Sequence, residues 1–184
     1  MSDVVVVDYG AGNTRSVCAA LAHVGATSLV SSVPDMIGNA GMVVLPGVGS
    51  ARSAMDHLES TGAAQALRDR FATGDPILGI CLGLQLALEH SDEDGGVDGI
   101  GLLPGTVHLM REGRVPRLGW ARVEPWGEAY YFAHSYAATC PDVVATSEGV
   151  TVAVERGAFL GVQFHPEKSG TAGLAFLERC LSPV

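Results

Sequence analysis

Four consecutive valines, Val4 to Val7, form the centre of an apolar, β-branched run from Asp3 to Asp8. A run that is apolar on both faces suits a strand buried on both sides, as in a parallel sheet covered by helices. Behind it comes a glycine-rich turn, Tyr9-Gly10-Ala11-Gly12-Asn13. Val17, Ala20, Leu21 and Val24 then follow at the spacing of a helix stripe, with Gly25 placed to cap it. The pattern repeats. Thr27 to Ser31, Met42 to Leu45 and Ile77 to Ile80 read as further strands, and Pro46-Gly47 stops the middle one. Ala51, Ala54, Met55 and Leu58 mark another helix, with a further turn or two through Phe71. Strands alternating with helices across short loops predict an α/β fold in three layers, a mostly parallel sheet flanked by helices.

The second half changes texture. Ser91 to Gly101 is acidic and glycine-rich and reads as a surface loop. Asp92, Glu93, Asp94 and Asp98 are oxygen donors, but their spacing lacks the alternating ligands of a calcium loop, so no metal is assigned. Short strands then dominate: Val107–Met110, Ala129–Tyr136, Val143–Thr146, Thr151–Glu155 and Phe159–Phe164. Turns at Glu148-Gly149 and Arg156-Gly157 imply hairpins, hence antiparallel strand additions in the C-terminal half. Leu174, Leu177 and Leu181 share one face of a closing helix. No repeat, low-complexity tract or linker interrupts the chain, so residues 1–184 read as a single domain.

The charge balance narrows the partners. A net charge of −9 argues against nucleic acid or an anionic membrane, both of which reward a basic patch. No apolar run approaches the roughly 18 residues of a membrane span. The N-terminus runs straight into the valine strand without a signal-peptide pattern, and Cys18, Cys81, Cys140 and Cys180 are scattered with no C-x-x-C pair. That usage predicts reduced thiols and a cytoplasmic location.

In parallel α/β sheets, function collects at the carboxyl ends of the strands. Three turns fall there, after Asp8, Leu45 and Ile80. The last is Gly79-Ile80-Cys81-Leu82-Gly83-Leu84-Gln85, a cysteine framed by glycines between a strand and a helix-like segment, Leu84 to His90. Glycine permits the sharp backbone and close approach of a nucleophile elbow. A helix N-terminus behind the sulfur favours its thiolate. Near the other end stands Gln163-Phe164-His165-Pro166-Glu167-Lys168. If Pro166 holds this stretch extended, His165 and Glu167 point to one side. An imidazole can take a thiol proton, and a carboxylate can fix its tautomer. Cys81, His165 and Glu167 are thus the parts of a Cys–His–Glu triad. A buried small cysteine and a surface histidine are the plain alternatives, because spacing alone does not bring the two segments together.

The two motifs together resemble the class I glutamine amidotransferase family. Asp8-Tyr9-Gly10-Ala11-Gly12-Asn13, Pro46-Gly47-Val48-Gly49, Gly119-Trp120 and Tyr131-Phe132-Ala133-His134-Ser135-Tyr136 narrow the resemblance. They are similar to the branch that serves as glutaminase subunits of imidazole glycerol phosphate synthases in histidine biosynthesis, over essentially the whole chain. The resemblance implies that Cys81 attacks the side-chain amide of glutamine, with His165 as base and Glu167 as its orienting group. It implies an oxyanion hole from the Val48 and Leu82 amides, and glutamine contacts from Gly49, Gln85, Ser135 and Tyr136. It places Asn13, Trp120, Tyr131 and Lys168 near the interface with a barrel-fold cyclase subunit that receives the ammonia, and it implies no cofactor. The chain departs from the family pattern at Arg117 and Ala121, where histidine and asparagine are usual. His134 reads as a packing residue, since no carboxylate follows it at the right spacing, and Cys18, Cys140 and Cys180 read as structural. Other readings of the same scaffold are a glutaminase for a different synthase, a stand-alone cysteine hydrolase, and a catalytically silent binding subunit.

Overall fold

The protein is described from a computed structural model covering residues 3–10, 13–111 and 113–182. Ala11 and Gly12 of the glycine-rich turn lie outside the described residues. The first half runs β1 (Asp3–Val7), α1 (Thr14–His23), β2 (Thr27–Ser31), α2 (Pro34–Asn39), β3 (Met42–Leu45), α3 (Ala51–Thr61), α4 (Ala63–Thr73), β4 (Ile77–Ile80) and α5 (Leu82–Leu86). The second half adds β5 (His90–Ser91), β6 (Val97–Asp98), β7 (Thr106–Leu109), β8 (Arg117–Arg122), β9 (Ala129–His134), β10 (Tyr136–Thr139), β11 (Val143–Ser147), β12 (Val150–Arg156), β13 (Phe159–Val162) and α6 (Gly170–Leu181).

A seven-stranded sheet in the order β11-β12-β13-β4-β3-β1-β2 forms the middle layer. From β13 to β2 the neighbours are parallel, and β12 and β11 extend the sheet as an antiparallel pair. The valine run shows why the sheet needs cover on both faces. Val5 and Val7 pack with Leu58 of α3 and Leu67 of α4, while Val4 and Val6 pack with Leu21 of α1 and Leu177 of α6. Side chains alternate across a strand, so one apolar run feeds two cores. This is the expected three-layer arrangement.

The topology also joins the two distant motifs. β13 lies beside β4 in parallel, with Val162 opposite Ile80. The residues that follow each strand therefore leave the same edge of the sheet as neighbours.

Several local expectations differ from the structure. The helix expected from Leu84 to His90 ends at Leu86. The carbonyls of Leu86, Ala87 and Leu88 instead accept N–H groups from Ile100, Leu102 and Gly101, so tertiary backbone pairing replaces the next helical turn. The same pairing alters the expected surface loop. Ser91, Val97 and Ile100 are buried, and β5 and β6 join β7 and β10 in a separate four-stranded sheet. The run expected from Ala129 to Tyr136 is two strands in two sheets, because the chain turns between His134 and Tyr136. The further helical turns expected through Phe71 are present, as a separate helix, α4. Gly62, with φ of +78°, ends α3 and starts α4. α2 and β8 were not anticipated.

Candidate active site

Cys81 follows β4 with φ of 50° and ψ of −104°. A non-glycine residue in such a conformation is strained, and strain of this kind gathers at functional sites. It is sustained by crowding that only glycine allows. A Cβ on Gly47 would lie 1.8 Å from the Ile80 carbonyl oxygen and 2.8 Å from the Cys81 Cβ. A Cβ on Gly83 would lie 2.0 Å from the Leu45 carbonyl oxygen. The Pro46-Gly47 turn and the cysteine elbow are thus pressed together, and the Cys81 N–H is tied to the Val162 carbonyl at 2.7 Å. α5 behind the sulfur has only five residues, so its dipole is a weaker influence than the sequence suggests.

His165 is 2 % exposed and lines the same cavity as Cys81. Its Nδ1 lies 2.8 Å from Glu167 Oε1, with the Glu167 side chain 1 % exposed. The route to this contact is not the extended one expected: Pro166–Lys168 is a 3-10 turn, and the Lys168 N–H returns to the His165 carbonyl. The turn, rather than strand alternation, brings imidazole and carboxylate together. Burial alone would lower the His165 pKa. Hydrogen bonds to Cys81 and Glu167, with the charges of both, outweigh it and raise the pKa from 6.5 to about 9. At neutral pH the imidazole therefore holds its proton, facing sulfur on one side and carboxylate on the other.

Two residues bind this group from outside. Asn13 Nδ2 donates to Glu167 Oε1, so the side chain of Asn13, expected near the partner interface, is turned onto the His165–Glu167 pair. Ser169, which sequence reasoning passed over, donates to the His165 carbonyl at 2.6 Å and accepts the Tyr131 N–H at 2.9 Å. It had no signal beyond its place after the motif.

The cavity beside Cys81 has a volume of about 300 Å³, the small end of the roughly 300–1,000 Å³ range for ligand pockets. All of the expected glutamine contacts, Gly49, Gln85, Ser135 and Tyr136, line it, as do Val48, Leu82 and Lys168. Glu93 lines it too, and that was missed because the acidic stretch read as a solvated loop. Its carboxylate accepts the Ala51 N–H at the start of α3, and burial raises its pKa. Gln85 Nε2 donates to the Tyr136 carbonyl and to Gln163 Oε1, both at 3.0 Å, which commits both amide hydrogens. His134 is 6 % exposed, and its Nδ1 lies 2.8 Å from the Tyr136 carbonyl oxygen. Burial above all lowers its pKa to about 4, so it stays neutral.

The Val48 amide is not free. It donates to the Tyr9 hydroxyl at 3.3 Å, and that hydroxyl donates to the Pro46 carbonyl at 2.6 Å. Trp120 and Leu118 stand exposed on the β8–β9 ribbon, where Trp120 pairs with Tyr131 and meets it edge to face. Arg117 turns inward. It stacks on Phe132 at 4.5 Å and donates to Ser147 and Glu148. Burial raises the thiols of Cys140 and Cys180, the latter to about 12, which suits a structural role. Among the described residues no helix is long and apolar enough to cross a membrane.

A family model described as glutamine amidotransferase class-I matches residues 5–182. The chain is 45 % identical over 181 residues to the imidazole glycerol phosphate synthase subunit HisH of Exiguobacterium sibiricum, covering 95 % of this chain and 92 % of that one. It is 42 % identical to the protein of the same name from Methylococcus capsulatus, covering 98 % of this chain and 96 % of that one. Among solved structures it is similar to a glutamine amidotransferase crystal structure, with a TM-score of 0.78 at 20 % identity over 95 % of this chain and 96 % of that one. It is also similar to PurLQS from Thermotoga maritima, with a TM-score of 0.73 at 20 % identity over 97 % of both chains. At that identity the structures speak for the fold alone. The family match over nearly the whole chain and the identity to these subunits carry the rest: the chain belongs to the class-I glutamine amidotransferases, in the branch of the imidazole glycerol phosphate synthase subunits HisH.

Proposed function

We propose that this protein is the glutaminase subunit of an imidazole glycerol phosphate synthase. It hydrolyses glutamine to glutamate and hands the ammonia to a cyclase subunit, which uses it in forming imidazole glycerol phosphate and an aminoimidazole carboxamide ribotide. The observation that carries this reading is geometric: His165 lines one cavity with Cys81 and is held at 2.8 Å by the buried Glu167 carboxylate.

Glutamine enters with its side chain toward Cys81. Glu93 is placed to pair with the α-ammonium group. Because both N–H groups of Gln85 are committed, it offers the substrate its oxygen. That acceptor suits the NH₂ of an amide and disfavours a carboxylate, which helps to reject the product. The Cys81 sulfur, having given its proton to His165, bonds to the amide carbon, and the C=O electrons move to oxygen. The Leu82 N–H stabilises that oxyanion, joined by the Val48 N–H once its peptide leaves Tyr9. Losing one such donor typically costs about 10²–10³ in rate. His165 then protonates the amide nitrogen, the C–N bond breaks, and ammonia departs. Water, deprotonated by His165, opens the thioester to glutamate, expels the Cys81 thiolate and restores the thiolate–imidazolium pair.

Ammonia in open water at neutral pH is protonated and lost, so the product needs a receiving site. Trp120 and Leu118, with half-buried Tyr131 braced against the tryptophan, give the β8–β9 ribbon the aromatic and apolar face that interface cores favour. The test is glutamine hydrolysis by the chain alone, then with a cyclase subunit and its nucleotide substrate. Glutamine-dependent synthesis is expected only in the complex. Cys81→Ala is expected to abolish it while complex formation and ammonia-dependent synthesis survive. Full glutaminase activity in Cys81→Ala, or strong activity that ignores the partner, overturns this reading.

A further inference from the structure

Gln163 lies between β13 and His165 and is wholly buried. Its backbone N–H is tied to the Val152 carbonyl at 2.9 Å. Its side-chain Nε2 stands 3.4 Å from the Cys81 sulfur. The direction of this amide is fixed by its neighbours. Gln163 Oε1 accepts from Gln85 Nε2 at 3.0 Å, and Gln85 is held in turn by the Tyr136 carbonyl. Rotating the Gln163 amide by half a turn would set NH₂ against NH₂ at Gln85 and oxygen against sulfur at Cys81. Only one orientation satisfies both ends, and it aims an N–H at the sulfur.

The sulfur needs such a donor. Cys81 is 6 % exposed, so water supplies little stabilisation of a negative charge there. α5 is too short to contribute much through its dipole. We propose that Gln163 is a further catalytic residue, a hydrogen-bond donor to the Cys81 thiolate that acts alongside His165. Gln163 favours the anion and holds the sulfur in one rotamer while His165 turns to protonate the leaving nitrogen. The same donor meets the thiolate again when it is expelled from the thioester. This role rests on Cys81 being the nucleophile proposed above.

The test follows alkylation of Cys81 by iodoacetamide from pH 5 to 9.5, read by mass spectrometry of the Cys81 peptide, in the full chain and in Gln163→Met and Gln163→Glu. Circular dichroism checks the fold of each variant. Methionine keeps the shape and removes the donor. Glutamate still accepts from Gln85 but sets negative charge against the sulfur. Alkylation at pH 6.5 is expected to slow roughly tenfold in Gln163→Met, as the loss of one charge-assisted hydrogen bond implies, with the profile displaced to higher pH. The displacement is expected to be larger in Gln163→Glu. In the complex, kcat is expected to fall with KM for glutamine little changed. An unmoved alkylation profile in either folded variant overturns the proposal, even if that variant is less stable. Glutamine hydrolysis that persists in Cys81→Ala overturns instead the assignment of the nucleophile.

Discussion

Asn13 Nδ2 and His165 Nδ1 share one acceptor, Glu167 Oε1, so a residue from the first turn of the chain is tied to the His165–Glu167 pair near its last helix. Among the described residues Glu167 Oε2 has no partner, and both hydrogen bonds to this buried carboxylate run through the other oxygen. Asn13→Ala is expected to lower the glutaminase kcat about tenfold, the scale of losing a hydrogen bond to a charged group. Affinity for the cyclase subunit should stay within about twofold. Steady-state kinetics with titration calorimetry separates the two effects. A large loss of affinity with kcat intact would return Asn13 to the interface.

Tyr9 bears on the oxyanion hole in a comparable way. Its hydroxyl engages the Val48 N–H and is itself buried, since the Tyr9 side chain is 1 % exposed. Tyr9→Phe removes the acceptor of the Val48 N–H, which the proposed mechanism frees for the oxyanion. Basal glutamine hydrolysis without a partner is expected to rise about threefold to tenfold, and stimulation by the partner to shrink in proportion. Stability should drop by about 1–2 kcal/mol, because the Pro46 carbonyl loses its donor. A folded variant with an unchanged or lower basal rate would count against Tyr9 as a catch.

Gly49 has φ of +114°, a conformation that side chains rarely adopt. In the proposed mechanism the Gly47–Val48 peptide turns to bring the Val48 N–H to the oxyanion, and the freedom of Gly49 lets the loop follow. Gly49→Val is expected to leave the fold and ammonia-dependent synthesis in place while abolishing stimulation of glutamine hydrolysis by the cyclase's ligand. Stimulation at the normal level in that variant would show that the loop does not switch the site.

His134 gives a pH dependence of known sign. Burial is the main cause of its low pKa of about 4, aided by the charges of Arg117 and His165 and opposed by its bond to the Tyr136 carbonyl. The unfolded chain, with an ordinary histidine pKa of about 6.5, binds more protons than the folded one between the two values. Stability from this group is therefore complete above about pH 6.5 and is lost as pH falls toward 4, by at most about 3 kcal/mol. Asparagine at this position can keep a donor for the Tyr136 carbonyl without titrating. Denaturant unfolding at pH 7 and pH 4.5 should show a smaller difference for His134→Asn than for the unmodified chain. An equal difference would mean that other groups set the acid response.

What could be read in the sequence follows from range. The strands β1, β3 and β4 and the stripe on α3 declare themselves because burial imposes a local period, and the glycines around Cys81 mark a close approach. The triad residues were legible as residue types, but their meeting depends on β13 lying beside β4, which no spacing states. α5 was misjudged because its continuation is prevented by N–H groups from Ile100 to Leu102, contacts that belong to tertiary structure. β8 was missed for a different reason. Its exposed positions are Leu118, Trp120 and Arg122, so the apolar face looks outward and the usual pattern is inverted. The acidic stretch hid Glu93 because a carboxylate in a glycine-rich run reads as solvated, whereas Glu93 caps α3 and lines the cavity.

That inverted ribbon carries the last prediction. Trp120 is 58 % exposed and Leu118 60 %, side by side on one face, with Tyr131 braced edge-on against the tryptophan. Arg117, on the other face of the ribbon, is anchored to Ser147 and stacked on Phe132, so it serves the fold and is not free to contact a partner. The two residues therefore separate docking from folding. Trp120→Ala is expected to weaken binding to the cyclase subunit by about 2 kcal/mol or more, the scale of a buried aromatic anchor, with basal glutaminase activity and unfolding midpoint nearly unchanged. Arg117→Ala should do the reverse, lowering stability by about 1–3 kcal/mol through the lost bonds to Ser147 and the lost stacking, with a smaller effect on affinity. Surface plasmon resonance with thermal unfolding on both variants reads the two quantities independently. If Arg117→Ala proved the worse binder at full stability, the docking face would have to lie on the opposite side of the ribbon.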